Sequence, residues 1–372
     1  MFERSWSGEP GSLAWTQVLF PAAAVYALAS HAARKRAAAR RQALPGAHVV
    51  AVGNLTVGGA GKSTVARWLA LETTRAGARA AVLLRGHGAS APERGVVPDF
   101  AGYPLAERVA RFGDEAVAHR IALPRGVTVA VDPDRRRAAL AVTKGYGARV
   151  LVLDDGWEQA GLRWNELWVA VDPKRPLGNG SLLPAGPLRR PASTIREADR
   201  IVFLLEEPEE TIPGETLAWL DRAAPGVPRL RLLRTLRGTT PVAAPEGTEP
   251  QPPQPVVRGA KVALVSGVGA PSRLTRFARG AGADLRMHAA FGDHARWSAA
   301  QLTAAIERAR RAGAESVWIT EKDEPRWPRD LRASLPVRVI RTGISAIDPG
   351  VEEALRPLRA AAAAAAAAEW EG

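Results

Sequence analysis

Residues 47–76, AHVVAVGNLTVGGAGKSTVARWLALETTRA, contain the segment that decides the fold of this 372-residue chain. The apolar run from His48 to Val52 predicts a buried parallel strand, and apolar residues at helical spacing after Thr64 predict a helix. Between them lies the glycine-rich turn GGAGKS at 58–63. Strand, glycine-rich turn, Lys-Ser and helix, in this order, are the layout of a phosphate-binding P-loop.

The glycine-rich turn predicts a site for the phosphates of a nucleotide. Its backbone N–H groups point into one concavity, and the helix N-terminus adds partial positive charge. We expect Lys62 to bind the β- and γ-phosphates and the Ser63 hydroxyl to coordinate Mg²⁺. ATP and Mg²⁺ are therefore the predicted cofactors. The residues expected to hold ATP are Thr56, Val57, Gly58, Gly59, Ala60, Gly61, Lys62, Ser63 and Thr64.

One position of this turn departs from the standard motif. Thr56 stands where the pattern has its first glycine, five residues before Gly61, so the loop is a variant. The alternative hypothesis is a glycine-rich turn with an incidental lysine. Agreement of the loop with the strand before it and the helix after it favours the P-loop.

Composition narrows the function classes. The chain has no cysteine, which excludes disulfides and thiol catalysis. Its net charge of +13 comes almost entirely from arginine spread over the whole sequence. Because no basic stripe carries interleaved aromatic residues, we predict no nucleic-acid partner, although the charge favours an anionic membrane surface.

The N-terminal segment predicts contact with a membrane. Residues 12–30, SLAWTQVLFPAAAVYALAS, carry no charge, and a basic segment follows at 31–41. A signal peptide is disfavoured because its basic residues should come first. A single spanning helix, a partly inserted anchor and a helix packed on the protein all stay open. We predict a membrane-associating helix without choosing its depth.

Two pairs of carboxylates follow predicted elements. Asp154 and Asp155 come directly after the apolar strand 149–153, which is the Walker B arrangement, and either can hold Mg²⁺ opposite Ser63. Asp114 and Glu115 open a helix, where capping alone accounts for their residue types. Glu115 is a weaker candidate for the metal.

The alternation of strands and helices predicts the architecture. We expect an α/β fold with a P-loop NTPase core, whose parallel sheet is covered on both faces, and a smaller C-terminal α/β domain. The expected segments are a membrane-associating helix and basic segment at 1–45, a P-loop kinase core at 46–238, a Pro-rich linker at 239–258, the C-terminal domain at 259–358 and a low-complexity alanine tail at 359–372.

The ordered set of motifs resembles the tetraacyldisaccharide 4′-kinase family of lipid A biosynthesis. The resemblance extends from about residue 12 to 345 and includes the variant P-loop. The segments that carry it are VGNLTVGGAGKS at 52–63, RG at 85–86, GDE at 113–115, DDG at 154–156, LPAGPLR at 183–189, SGVG at 266–269, GDH at 292–294 and TEKD at 320–323.

The resemblance implies a reaction and a place for it. It implies transfer of the γ-phosphate of ATP, with Mg²⁺, to the 4′-hydroxyl of an acylated glucosamine disaccharide 1-phosphate. The family works at the cytoplasmic face of the bacterial inner membrane, with ATP and substrate in a cleft between the two domains. A monomer is expected.

The resemblance also implies roles for single residues. Asp114 corresponds to the catalytic carboxylate that takes the sugar hydroxyl proton, and His294 to its partner in a carboxylate–histidine dyad. Arginine suits phosphate groups because its fork is bidentate. The residues expected at the substrate are Asn54, Arg85, His87, Asp155 and Arg189.

Three positions depart from the family pattern. Trp157-Glu158-Gln159 stands where the family has an aromatic or aliphatic residue followed by Gln-His, His87 replaces a tyrosine, and Arg190 replaces a glutamate. These departures leave open a catalytically degenerate relative that binds nucleotide or lipid. A further alternative is another P-loop protein, such as a partitioning-type ATPase or a nucleic-acid-dependent NTPase.

Overall fold

The structure, a computed structural model, describes residues 13–90, 92, 94–97, 104–242, 252–268, 271–292, 297–328 and 330–370. Its α-helices are α1 (Leu13–Ala39), α2 (Lys62–Arg75), α3 (Leu105–Phe112), α4 (Asp114–Ala122), α5 (Arg135–Tyr146), α6 (Gly214–Ala223), α7 (Pro271–Gly280), α8 (Ala299–Arg311), α9 (Gly350–Ala354) and α10 (Arg356–Trp370). Short 3₁₀ helices lie at Ala192–Glu197 and Glu324–Arg326.

Its strands are β1 (His48–Gly53), β2 (Ala80–Leu84), β3 (Gly95–Val96), β4 (Val127–Val131), β5 (Val150–Asp154), β6 (Glu166–Val171), β7 (Arg200–Leu205), β8 (Arg229–Pro241), β9 (Lys261–Ser266), β10 (Asp284–Ala290), β11 (Ser316–Thr320) and β12 (Val337–Ala346). Within the described ranges they form one sheet in the order β10-β9-β11-β12-β8-β7-β6-β1-β5-β2-β4-β3. Neighbours are parallel except at β8–β12 and β3–β4. The predicted α/β class with a parallel sheet is confirmed.

The sheet order brings the two predicted phosphate and metal segments together. β1 pairs with β5 in parallel, and Val52 lies opposite Asp154. The turn after β1 is the P-loop, so it leaves the sheet beside the Asp154-Asp155 pair. Loops at the carboxyl ends of neighbouring parallel strands form the usual ligand crevice of open α/β sheets.

Both faces of the sheet are covered. Alternate residues of β1 enter different apolar clusters: Val50 and Val52 pack with α2 and α10, whereas Val49 and Ala51 pack with α5. This alternation follows from the two-residue period of a strand. Two further clusters cover the two faces around β9 and β11.

Three of the strands, β3, β8 and β10, were not expected from the sequence, and β3 is only two residues long. β8 and β10 carry polar side chains at several positions, and half-exposed strands give no continuous apolar run. β8 pairs antiparallel with β12 over nine residue pairs, which joins the two halves of the sheet. The expected linker therefore begins inside β8, because Thr239 to Pro241 belong to that strand.

The described part of the chain begins and ends with a helix. α1 contains Pro21, and Tyr26 on it donates a hydrogen bond to the Arg189 carbonyl at 3.1 Å. Among the residues described here, no helix is both long and apolar enough to cross a bilayer. At the other end, Leu358 and Ala362 of α10 are buried against the sheet, so the start of the alanine tail packs on the core.

Candidate active site

The P-loop has the backbone geometry that its glycines permit. Gly61 adopts a left-handed conformation with φ 91° immediately before α2. A Cβ at Gly61 would lie 2.6 Å from Cδ2 of Leu204, so both the backbone and the space require glycine there. The Asn54 amide donates to the carbonyls of Thr56, at 2.6 Å, and Gly58, at 3.4 Å, which fixes the curvature of the loop.

Lys62 and Asp155 form the central ion pair of the site. Lys62 Nζ lies 2.8 Å from Asp155 Oδ1, and Arg189 Nη1 lies 2.8 Å from Asp155 Oδ2. Burial alone would raise the pKa of Asp155, but the charges of Lys62 and Arg189 hold that pKa far below its usual range. Both oxygens of Asp155 are therefore committed to cations, and the carboxylate stays ionised.

Asp154 has a different environment. Its Oδ2 lies 2.8 Å from His119 Nε2 in a pair that is almost completely buried. Burial raises the pKa of Asp154, but the hydrogen bond to His119 and the charge of Lys62 outweigh burial, so the pKa lies below its ordinary value. Oδ1 of Asp154 is buried without a hydrogen-bond partner in the described part of the chain.

Asp114 is bound from the other half of the sheet. Its Oδ2 accepts from Nε of Arg326 at 2.8 Å and also from Nη2 of the same guanidinium, while Oδ1 accepts from the Glu115 backbone N–H at 2.9 Å. Gly113, not Asp114, is the N-cap of α4. Capping alone therefore does not describe Asp114, because its carboxylate also forms an ion pair with Arg326 across 212 residues of sequence.

Two cavities meet at the P-loop. One, of about 480 Å³, is lined by residues 57–64 together with Arg273, Phe277 and Ile340. The other, of about 440 Å³, is lined by Arg85, His87, Arg135 and Glu158. The side chains shared by both are those of Lys62, Ser63, His87, Glu115, Asp155 and Arg189.

The shared residues create a chemical junction between the cavities. Lys62 and Ser63 belong to the phosphate loop, whereas Arg189 and His87 face a cavity rich in arginine. The two cavities are therefore adjacent at these shared residues. Glu115 lines both cavities, and Asp114 lines neither.

The donor set fits a magnesium ion. Magnesium takes oxygen ligands, often one or two carboxylates completed by phosphates and waters. Ser63 and Asp154 line the same cavity, and the buried Oδ1 of Asp154 lacks a partner there. Among the described residues, no group of three or more His, Asp or Glu side chains is preset to hold a metal on its own. Phosphate oxygens would complete the shell.

The departures at Glu158 and Arg190 are coupled in space. Arg190 Nε lies 2.7 Å from Glu158 Oε1, and Nη1 lies 3.3 Å from Glu197 Oε2. The guanidinium also stacks 3.7 Å over the Trp157 ring. The side chain of Arg190 is 2% exposed, and Glu158 and Glu197 compensate its buried charge.

The structure brings most of the predicted site residues together. Those at the cavities are Val57, Gly58, Gly59, Ala60, Gly61, Lys62, Ser63, Thr64, Arg85, His87, Glu115, Asp154, Asp155 and Arg189. Thr56 forms a β-bridge with Leu188, and Asn54 is buried beneath the loop, where its Oδ1 accepts from Arg189 at 3.3 Å. His294 lies outside the described residues.

Sequence reasoning missed four residues that belong to this region: His119, Arg135, Arg273 and Arg326. Arg273 donates to the Gly59 carbonyl of the P-loop at 2.6 Å and pairs with Glu206 at 2.8 Å. His119 carries a local signal, since it follows Glu115 by four residues on one helix face. For Arg273 and Arg326 no local signal exists, because their partners are distant in sequence, whereas Arg135 donates to the carbonyl of the nearby Asp132.

Glu115 is expected to make folding stability depend on pH. Burial, followed by the charge of Asp154, raises the pKa of Glu115 from 4.5 to about 7. Between pH 4.5 and pH 7 the carboxyl group of Glu115 is ionised in the unfolded chain but still protonated in the folded chain. The free energy of unfolding therefore falls as the pH rises through this range, and this contribution is lost above pH 7. The shift corresponds to about 3 kcal/mol.

Unfolding by urea in the presence of a chelator, at pH 5.5 and pH 8, checks this expectation. Glu115→Gln should lack this part of the pH dependence and be the more stable protein at pH 8. Glu215→Gln, on the exposed face of α6, is the matched control and should follow wild type. Parallel pH profiles for wild type and Glu115→Gln would contradict the raised pKa.

Comparison with known proteins adds an independent line of evidence. The chain matches the family described as LpxK, tetraacyldisaccharide-1-P 4′-kinase, over residues 15–357. A tetraacyldisaccharide 4′-kinase of Anaeromyxobacter dehalogenans (strain 2CP-C) is 36% identical over 313 residues, which cover 80% of this chain and 77% of the relative. One of Rhodospirillum centenum (strain ATCC 51521 / SW) is 32% identical over 357 residues, which cover 95% of each.

A solved structure is similar in fold. It is described as the "apo" form of LpxK from Aquifex aeolicus in complex with ATP, and it matches with a TM-score of 0.67 and 22% sequence identity. The match covers 92% of this chain and 98% of that chain. At this identity the similarity supports the overall architecture.

Proposed function

The chain belongs to the tetraacyldisaccharide-1-P 4′-kinase family, and from this premise we propose that it transfers the γ-phosphate of ATP to the 4′-hydroxyl of a tetraacylated glucosamine disaccharide 1-phosphate. It is a kinase of lipid A biosynthesis, and its substrate is a lipid A precursor disaccharide. Neither alternative, the degenerate relative or the unrelated P-loop NTPase, receives support from the comparisons.

The observation that carries this proposal is the junction of the two cavities at Lys62, Ser63 and Asp155. We assign the cavity at residues 57–64 to ATP, because a glycine-rich loop and a helix N-terminus bind phosphate. We assign the cavity with Arg85 and Arg189 to the acceptor, because guanidinium groups bind sugar phosphates in bidentate geometry. Phosphate transfer then takes place where the cavities meet.

Ser63 and Asp154 are the proposed magnesium ligands, and Glu115 is a further candidate. Asp155 is less suited, since Lys62 and Arg189 already engage both of its oxygens. When bound, the ion neutralises charge on the β- and γ-phosphates. Lys62 also neutralises charge on these phosphates. Arg189 orients the acceptor and keeps Asp155 in place.

We propose that Asp114 is the general base that accepts the proton of the acceptor hydroxyl. The family motif at 113–115 supports this assignment. The contact with Arg326 orients its carboxylate, and His294 is its proposed partner. Positioning within hydrogen-bond reach of the hydroxyl matters more than an intrinsically high pKa for such a base. Glu115, which lines both cavities, is the competing candidate.

We also propose that residues 46–238 and 259–358 act as two lobes that close around ATP. The buried residues of the cluster around β9 and β11 all come from 259–358, which supports this division, whereas Val351 and Leu358 pack in the cluster around β1. Arg67 of α2 pairs with Glu321 after β11 at 2.6 Å, and Arg273 reaches the Gly59 carbonyl. Both contacts link the phosphate loop to the C-terminal lobe.

Phosphate transfer from labelled ATP to a tetraacylated disaccharide 1-phosphate in detergent tests the proposed function. We expect Mg²⁺-dependent formation of the 4′-phosphorylated lipid. Bound ATP without lipid phosphorylation would favour the degenerate relative. ATP hydrolysis stimulated by DNA, without lipid phosphorylation, would favour a nucleic-acid-dependent NTPase.

For the place of action we propose the cytoplasmic face of the bacterial inner membrane, with α1 on the lipid surface. Phe20, Val25 and Leu28 on this helix are 52%, 67% and 75% exposed. Basic residues at 34–36 follow on the same helix, as suits anionic headgroups. Because Tyr26 contacts the Arg189 carbonyl, this placement would bring the acceptor cavity close to the membrane.

Flotation with vesicles containing phosphatidylglycerol tests the membrane contact. Joint replacement of Phe20, Val25 and Leu28 by Gln should reduce vesicle binding at least about tenfold, since each apolar side chain contributes on the order of 1.5–3 kcal/mol when buried. Val257→Gln, which changes a residue 77% exposed elsewhere, is the matched control. Equal binding by both variants would place the docking surface outside α1.

A further inference from the structure

A buried histidine contacts the carboxylate to which we assign magnesium. His119 Nε2 lies 2.8 Å from Asp154 Oδ2, and the side chains are 1% and 4% exposed. Ion pairs and hydrogen bonds at such depth have large consequences, because an unsatisfied buried polar group costs about 1–3 kcal/mol. Nothing in the family motifs named above assigns a role to His119.

The neighbouring helix fixes the direction of this contact. His119 stands on α4 one turn after Glu115, so both side chains face the end of β5. Nδ1 of His119 is buried and has no hydrogen-bond partner among the described residues. A neutral ring must therefore carry its proton on Nε2, where the proton is donated to Asp154.

The contact makes the two oxygens of Asp154 different. Oδ2 is engaged by His119, while Oδ1 is buried, lacks a partner in the described part of the chain, and belongs to a residue that lines the acceptor cavity beside Ser63. Rotation of the carboxylate about its Cβ–Cγ bond would break the hydrogen bond to His119. Oδ1 is thus held in one orientation.

We propose that His119 is a positioning residue that clamps Oδ2 of Asp154 and thereby presents Oδ1 to Mg²⁺. This inference rests on the proposed function, since it concerns the metal that accompanies ATP. Hydrogen bonds to metal-ligating groups orient them, and their loss typically lowers metal affinity about 10–100-fold. His119 acts through Asp154, to which its Nε2 is bound, and its side chain also lines the cavity that we assign to ATP.

The test measures metal affinity directly. Mn²⁺ replaces Mg²⁺ as the probe, and its binding to the full chain with a non-hydrolysable ATP analogue is followed by electron paramagnetic resonance. His119→Leu removes the donor at similar volume, and we expect Mn²⁺ affinity to fall about 10–100-fold. His119→Gln keeps an N–H donor and should recover most of the affinity.

A matched control exists on the same sheet. His48 Nε2 lies 2.9 Å from Glu166 Oε1. His48 is the first residue of β1, so this contact lies at the end of the strand away from the P-loop. His48→Leu also breaks a histidine–carboxylate contact, and it should leave Mn²⁺ affinity unchanged. Circular dichroism and thermal unfolding of each variant report whether it is folded.

Kinetics provide a second measurement. In His119→Leu the Mg²⁺ concentration for half-maximal activity should rise by the same factor as the Mn²⁺ dissociation constant, with kcat at saturating Mg²⁺ close to wild type. In an Asp154→Asn background, His119→Leu should have no further effect on Mn²⁺ binding, because the two residues act as one unit.

The outcomes are distinguishable. Unchanged Mn²⁺ affinity in folded His119→Leu overturns the positioning role, as does an equal loss in His119→Leu, His119→Gln and His48→Leu. Weakened Mn²⁺ binding in His119→Leu alone supports it, even if the wild-type protein phosphorylates no lipid. Absence of lipid phosphorylation by the wild-type protein would contradict the proposed function and leave the role of His119 intact.

Discussion

Asp114→Asn is expected to lower kcat for lipid phosphorylation by about 10²–10⁴-fold, the usual contribution of a general base. The substitution keeps the size of the side chain but removes the carboxylate that would accept the hydroxyl proton. ATP affinity should stay close to wild type, because the side chain lines neither cavity. Steady-state phosphorylation and equilibrium binding of an ATP analogue measure the two quantities separately.

The contact with Arg326 requires its own control in this experiment. Arg326→Lys keeps a positive charge opposite Asp114, so it should lose much less activity than Asp114→Asn. Asp221→Asn removes a carboxylate from an exposed ion pair with Arg229, 2.7 Å long, and should leave kcat unchanged. Near-full turnover by Asp114→Asn, together with loss in Glu115→Gln, would transfer the base assignment to Glu115.

Lys62→Met is the second substitution with a large expected effect. Removing one preorganised donor to developing negative charge typically costs about 10²–10³-fold in kcat. Lys62 has two tasks in the proposed mechanism: it binds the β- and γ-phosphates, and its charge holds Asp155 ionised. We therefore expect both a lower kcat and a weaker ATP affinity.

A surface lysine provides the matched comparison for Lys62. Lys174 lies 3.0 Å from Glu210, is 46% exposed and lines neither cavity, so Lys174→Met removes a lysine charge away from the proposed phosphate site. That variant should behave as wild type in turnover and in ATP binding. Retained turnover and ATP binding in Lys62→Met would exclude the proposed role of the glycine-rich turn in phosphate binding.

The sequence alone determined the core of the fold. Apolar runs such as Val127–Val131 and Lys261–Ser266 indicate buried strands and have those bounds in the structure, and serine suits the N-cap position that Ser298 occupies at α8. These features are local: the two-residue period of a buried strand and the hydrogen bond of an N-cap depend on residues close in sequence.

The P-loop and the Asp154-Asp155 pair were likewise accessible from the sequence. A left-handed backbone at Gly61 is a property of glycine itself, and the carboxylates follow directly from the strand that precedes them. Once parallel strands are expected, their carboxyl ends lie at one edge of the sheet. The sequence therefore already points to the residues that we propose bind phosphate and metal.

Only the tertiary structure decided which distant side chains join this site. Arg326 contacts Asp114 across 212 residues and Arg273 reaches Gly59 across 214, because β8 pairs antiparallel with β12 and brings the C-terminal part back over the P-loop. His119 on α4 meets Asp154 at the end of β5 although 35 residues separate them. No local pattern encodes such contacts, since they depend on the order of strands in the sheet and on the packing of helices against it.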